Sequence, residues 1–403
     1  MKIRVLPSVA RGRVSAPPSK SMAHRWLLCA ALAQGESRIC GVSDCEDVQA
    51  TLDCLRAFGA RCEEEKNGVT VEGVDFCNAT SATLPCRESG STLRFFLPLC
   101  LLSDKEMTLV GAPSLLHRPM IVYADLCRRH NLFFKQTERG ITVKGPLTSG
   151  SYTLPGNVSS QFISGMLFAL TQVEGESILH ILPPFESRSY VLLTLQTLTA
   201  FGADVAWIDD LTLCIRGGKP MQAQNVTVEG DYSGAAFLSA FNLLGGDVQV
   251  DGLNPDSLQG DRAYLTHFES IKQGFATVSL ADCPDLAPIL FAMAAKGQGG
   301  HFTDTRRLVI KESNRAKAMA EELSKFGVTV EVLENEVIIT PTDFHAPTDP
   351  LRGHNDHRIV MSLAVLATVT GGVIEGAEAV AKSFPDFFER IRALGIQTEI
   401  ITQ

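Results

Sequence analysis

Residues 58–71 read FGARCEEEKNGVTV and contain a signal that the rest of the chain repeats. The helical pattern over residues 48–58 ends at Gly59, because glycine readily adopts the left-handed backbone that stops a helix. The alternation Val69-Thr70-Val71 that follows predicts a short strand with one buried face. The segment therefore predicts a helix, a tight stop and a strand in immediate succession.

The same order of helix, stop and strand returns along the whole chain. The predicted stops are Gly59, Asn131, Gly202, Gly274, Gly327 and Gly395. Successive stops are separated by 72, 71, 72, 53 and 68 residues. A nearly constant period predicts six copies of one β/α module, since self-similarity at a fixed spacing is the signature of a repeat architecture. The short interval after Gly274 predicts that the fourth copy lacks a hairpin.

The length of 403 residues is too great for one ordinary hydrophobic core, so two domains are expected. Three repeats in each half place the boundary close to residues 224–230. The N-terminal strand precedes a Pro-Pro pair and could belong to the other half. We therefore expect an N-terminal lobe at 18–226 and a C-terminal lobe formed by 1–17 and 227–403, with crossovers near 14–18 and 224–230.

Composition limits the classes of partner. The net charge of -9 and the pI near 5.5 argue against nucleic acid or an anionic membrane surface. No apolar run reaches the length of a membrane span. The 11 cysteines are scattered and contain no CxxC pair, which favours reduced thiols in a cytosolic protein. We expect a cytoplasmic monomer that acts on small molecules.

Three basic segments begin predicted helices. Residues 17–25 read PPSKSMAHR and place Lys20 and Arg25 at a helix start, where the helix dipole disfavours cations. Residues 306–315 place Lys311 and Arg315 four apart, on one predicted helix face. Residues 354–358 read HNDHR and precede a third apolar helix. Free backbone N–H groups beside a cation favour phosphate or carboxylate binding.

Hydroxyl-rich turns at 88–92, 156–161 and 187–190 offer neutral donors to the same kind of ligand, although each is also explained as an N-cap. His354, Asp356 and His357 have no spacing typical of a metal site, so no metal is predicted. Asp285, taken alone, is explained as a cap for the apolar helix after it.

Seven short motifs, running from Pro17 to Asp386, occur together in a fixed order. They are Pro18-Ser19-Lys20-Ser21 with Arg25, Gly90-Ser91-Thr92 with Arg94, His117-Arg118-Pro119, Ser159-Ser160-Gln161, Lys311-Glu312 with Arg315, Asn355-Asp356-His357-Arg358, and Lys382-Ser383-Phe384-Pro385-Asp386. This series resembles the 5-enolpyruvylshikimate-3-phosphate synthase family, within the enolpyruvyl transferases. The resemblance implies two domains, each of three βαβαββ units, and a shikimate-pathway enzyme without a cofactor.

The reaction that the resemblance implies is transfer of the carboxyvinyl group of phosphoenolpyruvate to the 5-hydroxyl of shikimate 3-phosphate, with release of phosphate. Addition would form a tetrahedral ketal, and elimination would follow. Asp285 matches the family's general base, Glu312 its proton-transfer residue, and Lys20 a residue that also faces phosphoenolpyruvate. Two positions depart from the family pattern: Glu88 replaces an Asn, and Arg307 stands where many members have a substrate-binding Asn.

The motifs also imply two sets of binding residues. The shikimate 3-phosphate set is Lys20, Ser21, Arg25, Ser159, Ser160, Gln161, Ser187, Tyr190, Asp285, Arg307 and Lys311. The phosphoenolpyruvate set is Lys20, Gly90, Arg118, Gln161, Arg315, Arg358 and Lys382.

Two other functions remain open from the sequence. A related enolpyruvyl transferase acts on a UDP-amino sugar, but its pattern has Lys-Asn where this chain has Lys20-Ser21, together with a reactive cysteine. Cys77 and Cys86 have only Arg87 nearby to activate a thiol. A non-catalytic repeat scaffold that binds an anion would keep the cations but would not need Asp285 or Glu312.

Overall fold

The computed structural model describes residues 1–401 and alternates short strands with helices throughout. The helices are α1 (Lys20–Leu32), α2 (Glu46–Ala57), α3 (Gly90–Cys100), α4 (Pro113–Leu116), α5 (Ile121–Arg129), α6 (Ser160–Leu170), α7 (Arg188–Ala200), α8 (Tyr232–Ser239), α9 (Tyr264–Gln273), α10 (Ala287–Lys296), α11 (Arg315–Ser324), α12 (His357–Thr370) and α13 (Phe387–Ala393). Short 3₁₀ turns occupy Ala240–Leu244, Gly260–Ala263, Pro284–Leu286, Arg306–Ile310 and Ala377–Lys382.

The strands are two to eight residues long. They are β1 (Lys2–Val5), β2 (Arg11–Ser15), β3 (Ala33–Gln34), β4 (Glu36–Cys40), β5 (Arg61–Glu65), β6 (Gly68–Glu72), β7 (Thr83–Pro85), β8 (Met107–Val110), β9 (Phe133–Thr137), β10 (Gly140–Lys144), β11 (Ser151–Pro155), β12 (Gly175–Leu182), β13 (Asp204–Asp209), β14 (Thr212–Gly217), β15 (Met221–Gln222), β16 (Asn225–Thr227), β17 (Asp247–Asp251), β18 (Ala276–Ser279), β19 (Gly300–Thr303), β20 (Val328–Val332), β21 (Glu336–Pro341), β22 (Leu351–Arg352), β23 (Gly372–Glu375) and β24 (Thr398–Ile401).

The chain divides into two compact units, each with its own hydrophobic core. The first unit is Lys20–Glu229, and the second unit is Met1–Ser19 together with the chain from Gly230 onward. The sequence placed these boundaries two to three residues earlier at each crossover. Within the second unit, Pro18 forms a β-bridge with Gly230, so the two connecting segments lie side by side there.

Five sheets share one connectivity, and this confirms the predicted repeat. In each, a parallel pair of strands adjoins an antiparallel pair. The strand orders are β16-β4-β6-β5, β7-β8-β10-β9 and β11-β12-β14-β13 in the first unit, and β18-β19-β21-β20 and β22-β23-β1-β24 in the second. The N-terminal strand β1 therefore pairs with β23 and β24 near the other end of the chain.

The shortened fourth repeat is also confirmed. It consists only of the parallel pair β2 and β17, and β18 of the next repeat follows α9 almost directly. The N–H and C=O groups of Val248 point away from β2. They face the edge of β17 at which a hairpin strand lies in the other sheets. Asn242 occupies that edge: its Nδ2 donates to the Val248 carbonyl at 2.9 Å, and its Oδ1 accepts from the Val248 N–H at 2.8 Å. One side-chain amide thus satisfies the two backbone groups that a missing strand would have bonded.

The central helices carry basic residues at their N-terminal ends. Every residue of α1 from Met22 to Leu32 is buried, as is nearly all of α12, because a helix that is apolar on all sides packs inside a core. Lys20 begins α1 and Arg358 is the second residue of α12.

Within residues 1–401 the longest helix has 14 residues, and none has both the length and the apolar character needed to cross a membrane.

Candidate active site

The first unit pairs Lys20 with a carboxylate that the sequence did not single out. The Lys20 Nζ lies 2.7 Å from an Oδ of Asp47, and both side chains are largely buried. Asp47 belongs to the first turn of α2, where an acidic residue is expected for helix stability alone. Because that local explanation is sufficient, the sequence gives no reason to expect that Asp47 also pairs with Lys20, 27 residues away.

Arg25 is a buried cation whose hydrogen-bond partners are neutral. Arg25 is 2 % exposed, and its guanidinium carbon Cζ lies over the Phe95 ring, 5.2 Å from the ring centre. The guanidinium donates to Thr194 Oγ1 at 2.8 Å, to the Ser21 carbonyl at 2.7 Å and to the Tyr190 carbonyl at 3.0 Å. Burial lowers the pKa of Arg25 to about 10.

No carboxylate in the described part of the chain forms an ion pair with Arg25. A buried charge without a counter-charge is unfavourable, because desolvation is not repaid by attraction to an opposite charge. The site is therefore suited to an anionic ligand.

A second set of side chains gathers at the start of α3. Ser89 caps this helix by accepting a hydrogen bond from the Thr92 N–H at 3.2 Å, so the turn that contains Glu88 leads directly into a capped helix. Gly90 follows, and a Cβ built on it would lie 2.7 Å from the Arg118 Nη1. The guanidinium of Arg118 thus lies directly against a position that has no side chain.

Gln161 joins the α3 cluster to α6. Its Oε1 accepts from the Arg94 Nη1 at 2.6 Å, and its Nε2 donates to Ser91 Oγ at 2.9 Å. Ser159 caps α6 and accepts from the Gln161 N–H at 3.3 Å, so the cap explanation holds for this serine. Ser160 is the first residue of α6.

Hydroxyl groups near the middle of α6 and α7 link these helices to Arg25 of α1. Thr194 Oγ1 lies 2.7 Å from Ser164 Oγ and also accepts from Arg25. Ser187, immediately before α7, has a left-handed backbone with φ of 52°. The predicted residues of the first unit therefore cluster at the starts of α1, α3, α6 and α7, with Arg118 beside them.

In the second unit, Asp285 is the centre of a cluster of cations. Its Oδ1 lies 3.1 Å from the Lys311 Nζ and 2.8 Å from the Arg315 Nη1, and its Oδ2 lies 3.2 Å from the Arg358 Nη2. Burial alone would raise the pKa of Asp285, but Arg358, Lys311 and Arg315 outweigh it and hold that pKa well below its usual range. The carboxylate is therefore ionised at neutral pH.

Arg315 is only 1 % exposed and contacts three carboxylates. Besides Asp285, it reaches Glu312 Oε2 at 2.6 Å and Asp356 Oδ2 at 2.9 Å. The prediction that Lys311 and Arg315 share one helix face is wrong. Lys311 lies outside α11 in extended backbone, and both residues reach Asp285 because the segment between them turns.

Arg307, Arg358 and Lys382 are buried beside this cluster. Arg307 donates to the Ala281 carbonyl, and Lys382 donates to the Asn355 carbonyl at 2.7 Å. Arg358 lies in the first turn of α12, which Asp356 caps by accepting from the Arg358 N–H at 3.0 Å.

His354 lies apart from this cluster. Its Nε2 is 2.8 Å from Glu322 Oε1, and the same carboxylate accepts from the Lys325 Nζ at 2.7 Å. A cation already occupies that carboxylate, so the group formed by His354, Glu321 and Glu322 does not resemble a metal site.

Comparison with known proteins identifies the family to which the chain belongs. The family described as EPSP synthase (3-phosphoshikimate 1-carboxyvinyltransferase) matches residues 7–391. A 3-phosphoshikimate 1-carboxyvinyltransferase of Clostridium kluyveri is 36% identical over 420 residues, covering 98% of this chain and 97% of that protein. The enzyme of the same name from Clostridium novyi is 34% identical over 424 residues, with the same coverage of 98% and 97%.

A solved structure leads to the same family. The EPSP synthase of Acinetobacter baumannii matches with a TM-score of 0.78 and 25% identity, over 100% of both chains. The agreement of sequence and fold extends over the full set of repeats. The chain therefore belongs to the EPSP synthase family.

Proposed function

We propose that this protein transfers the enolpyruvyl group of phosphoenolpyruvate to the 5-hydroxyl of shikimate 3-phosphate and releases phosphate. The observation that carries this proposal is the position of Asp285, a carboxylate within 3.2 Å of three cations. Such a cluster combines a base with groups that bind anions. The protein is proposed to work as a cytoplasmic monomer on these two small molecules.

Shikimate 3-phosphate is assigned mainly to the first unit. Arg25 is assigned to the phosphate group of shikimate 3-phosphate, because this buried cation has only neutral hydrogen-bond partners. The hydroxyls at the starts of α6 and α7 supply neutral donors to ligand oxygens. The full proposed set is Lys20, Ser21, Arg25, Ser159, Ser160, Gln161, Ser187, Tyr190, Asp285, Arg307 and Lys311.

Phosphoenolpyruvate is assigned mainly to arginine side chains. Arginine suits this ligand because its planar fork binds a carboxylate or a phosphate through two parallel hydrogen bonds. Gly90 leaves room for the Arg118 guanidinium beside it. The full proposed set is Lys20, Gly90, Arg118, Gln161, Arg315, Arg358 and Lys382.

The two substrates together carry about six negative charges. Apart from Arg307, the two proposed sets contain seven lysines and arginines, so the positive charge of the site is comparable.

In the proposed reaction Asp285 takes the proton of the 5-hydroxyl while Glu312 protonates the methylene carbon of phosphoenolpyruvate. Glu312 lies 2.6 Å from Arg315, which favours its ionised form. Bound anions would compete for Arg315, so that Glu312 can take up the proton that it then donates to the methylene carbon.

Phosphate release with each substrate alone and with both together tests the proposal. We expect release only when phosphoenolpyruvate and shikimate 3-phosphate are both present. A UDP-amino sugar in place of shikimate 3-phosphate should give none. Release with the sugar nucleotide alone as acceptor would favour the related transferase, and binding of both anions without any release would favour a scaffold.

Replacing Gly90 with alanine should raise the KM for phosphoenolpyruvate about 10- to 100-fold, because a reacting ligand is sensitive to a displacement of about 1 Å. The added Cβ would lie 2.7 Å from the Arg118 Nη1, so the guanidinium has to move. The obstacle is the flexible end of a side chain, and the fold should therefore be retained. Steady-state kinetics measure the effect, with the KM for shikimate 3-phosphate as an internal control. An unchanged KM for phosphoenolpyruvate would contradict the role given to Arg118.

A further inference from the structure

Glu322 is a fully buried carboxylate that the proposed chemistry does not use. It lies on α11, the helix that begins with Arg315. Its Oε2 accepts hydrogen bonds from the Lys325 Nζ at 2.7 Å and from the Arg352 N–H at 2.8 Å. Its Oε1 lies 2.8 Å from the His354 Nε2. The carboxylate therefore ties α11 to the part of the chain that leads into α12.

The Glu322 carboxylate is ionised, and its charge fixes the direction of these hydrogen bonds. Burial alone would raise the pKa of Glu322, but the hydrogen bonds from His354, Lys325 and the Arg352 N–H together hold that pKa below its usual value. An ionised carboxylate can only accept hydrogen bonds, so the His354 Nε2 is the donor. A hydrogen bond to an ionised partner is also stronger than one between neutral groups.

His354 and Asn355 form the turn before α12, called the α12 turn below, and their backbone is strained. Their φ angles are 49° and 53°, in the left-handed region that disfavours residues other than glycine. Asparagine and histidine tolerate this region better than most side chains do. Strained residues nevertheless persist only where the surrounding contacts hold them. The hydrogen bond from His354 to Glu322 is such a contact.

The α12 turn is bonded in addition to residues of the candidate site. The Asn355 carbonyl accepts a hydrogen bond from the Lys382 Nζ at 2.7 Å. Asp356 follows the turn and caps α12 by accepting from the Arg358 N–H at 3.0 Å, while its Oδ2 accepts from the Arg315 Nε at 2.9 Å. The backbone at this turn thus sets the positions of groups that contact three cations assigned to phosphoenolpyruvate.

We propose that Glu322 and His354 are positioning residues for the binding of phosphoenolpyruvate, because they hold the α12 turn in its left-handed conformation. Held in this way, the turn fixes Lys382 and the start of α12, which carries Arg358. This inference rests on the proposed function, which assigns these two cations to that ligand. Neither Glu322 nor His354 is required to touch the substrate, since a displacement of about 1 Å at the turn is enough to disturb a bound ligand.

Two replacements of His354 separate the hydrogen bond from the backbone conformation. The glutamine amide nitrogen lies as many bonds from Cα as the histidine Nε2, so His354→Gln can still donate to Glu322. Asparagine is too short to do so, but it tolerates the left-handed backbone best. We expect His354→Asn to raise the KM for phosphoenolpyruvate about tenfold, the effect of one hydrogen bond to a charged group. His354→Gln keeps that bond and should stay within about threefold of the unchanged protein.

The other kinetic constants separate positioning from a general loosening of the fold. In both variants the KM for shikimate 3-phosphate should change less than about twofold, and kcat should change much less than the KM for phosphoenolpyruvate. If only the backbone conformation mattered, His354→Asn would be the milder of the two variants, and that order would overturn the proposal. An unchanged KM for phosphoenolpyruvate in His354→Asn, or equal increases for both substrates, would also overturn it.

Glu322→Gln tests the acceptor of the same hydrogen bond. It keeps the shape of the side chain but removes its charge, and it should raise the same KM. Adding His354→Asn to Glu322→Gln should cause a smaller further increase than His354→Asn causes alone, because residues that share one interaction are not additive. Fully additive increases would show that the two residues act separately and would contradict the proposal.

His301→Asn is a matched control in the same unit. The His301 Nε2 also lies 2.8 Å from a carboxylate oxygen, the Oε2 of Glu336, in the sheet that contains β19 and β21. The control therefore removes a histidine–carboxylate pair of the same length away from the α12 turn. It should leave both KM values unchanged, and an increase equal to that of His354→Asn would contradict the proposal.

Lys382→Ala and Arg358→Ala are measured in parallel to test the ligand itself. If neither raises the KM for phosphoenolpyruvate, the ligand assigned to these cations is wrong, and the positioning role falls with it. If either raises it and His354→Asn does not, the positioning role alone is wrong.

Discussion

Replacing Asp285 with asparagine is expected to lower kcat about 10²- to 10⁴-fold, the range typical for loss of a general base. Asparagine has nearly the same shape as aspartate but cannot take the proton of the 5-hydroxyl. Shikimate 3-phosphate should still bind, because asparagine can still hydrogen-bond to its hydroxyl and Lys311, now 3.1 Å from Asp285, loses the carboxylate that holds it. Calorimetry with shikimate 3-phosphate and a phosphate-release assay at saturating substrates measure the two effects separately.

The depressed pKa of Asp285 gives this prediction a pH dependence. A carboxylate held by three cations is ionised but is a weak base. Substrate anions that bind Lys311 and Arg358 would draw those cations away, and the pKa of Asp285 should then rise towards its ordinary value. Since kcat reports the enzyme–substrate complex and kcat/KM the free enzyme, the acid limb of the kcat profile should lie at higher pH. A kcat limb at the lower pH would contradict this sequence of events.

Asp251→Asn is a suitable control for the charge change. Asp251 is also held by an arginine, with Arg13 Nη2 at 3.0 Å and Nε at 3.1 Å, but it is half-exposed at the end of β17. It should keep full activity. Glu312→Gln should lose turnover over the same range as Asp285→Asn, and a Glu312→Gln enzyme with full turnover would remove that residue from the mechanism.

The repeat could be predicted from sequence because five of the six predicted stops, all except Gly274, end a helix locally in a left-handed conformation. Gly59, Gly202, Gly327 and Gly395 have φ between 79° and 98°, and Asn131 has φ of 55°. These are the left-handed values that a helix stop requires, and asparagine is the side chain that best tolerates them after glycine. Such a signal depends only on a few neighbouring residues, so its period is visible in the chain.

The carboxylates of the candidate site were harder to find, because their partners are distant in sequence. Asp356 belongs to the motif at residues 355–358, yet as the N-cap of α12 it has a sufficient local explanation. Its Oδ2 also lies 2.9 Å from the Arg315 Nε, 41 residues away. Asp47 and Asp261 likewise lie in the first turns of helices, where acidic residues are common. Only the packing of the helices shows that these residues also face cations.

Replacing Arg25 should weaken the binding of shikimate 3-phosphate about 10²- to 10³-fold, since loss of a buried charged partner typically costs a few kcal/mol. The affinity for phosphoenolpyruvate should change little. Arg25→Ala removes the side chain entirely, and Arg25→Gln keeps a polar group that can still donate to Thr194 or to the Tyr190 carbonyl. Arg358→Ala should show the reverse pattern, raising the KM for phosphoenolpyruvate. Calorimetry that gave the opposite pairing would overturn the division of ligands.

The stability of the Arg25→Gln variant separates a binding role from a structural one. Arg25 has no carboxylate partner within residues 1–401, so its charge is a net cost to the free protein. The variant should therefore have a Tm equal to or above that of the unchanged protein, although it binds shikimate 3-phosphate poorly. Inorganic phosphate should raise the Tm of the unchanged protein but not that of Arg25→Gln, because a ligand stabilises only the state that binds it. A lower Tm for Arg25→Gln together with an undiminished response to phosphate would show that Arg25 supports packing and does not hold an anion.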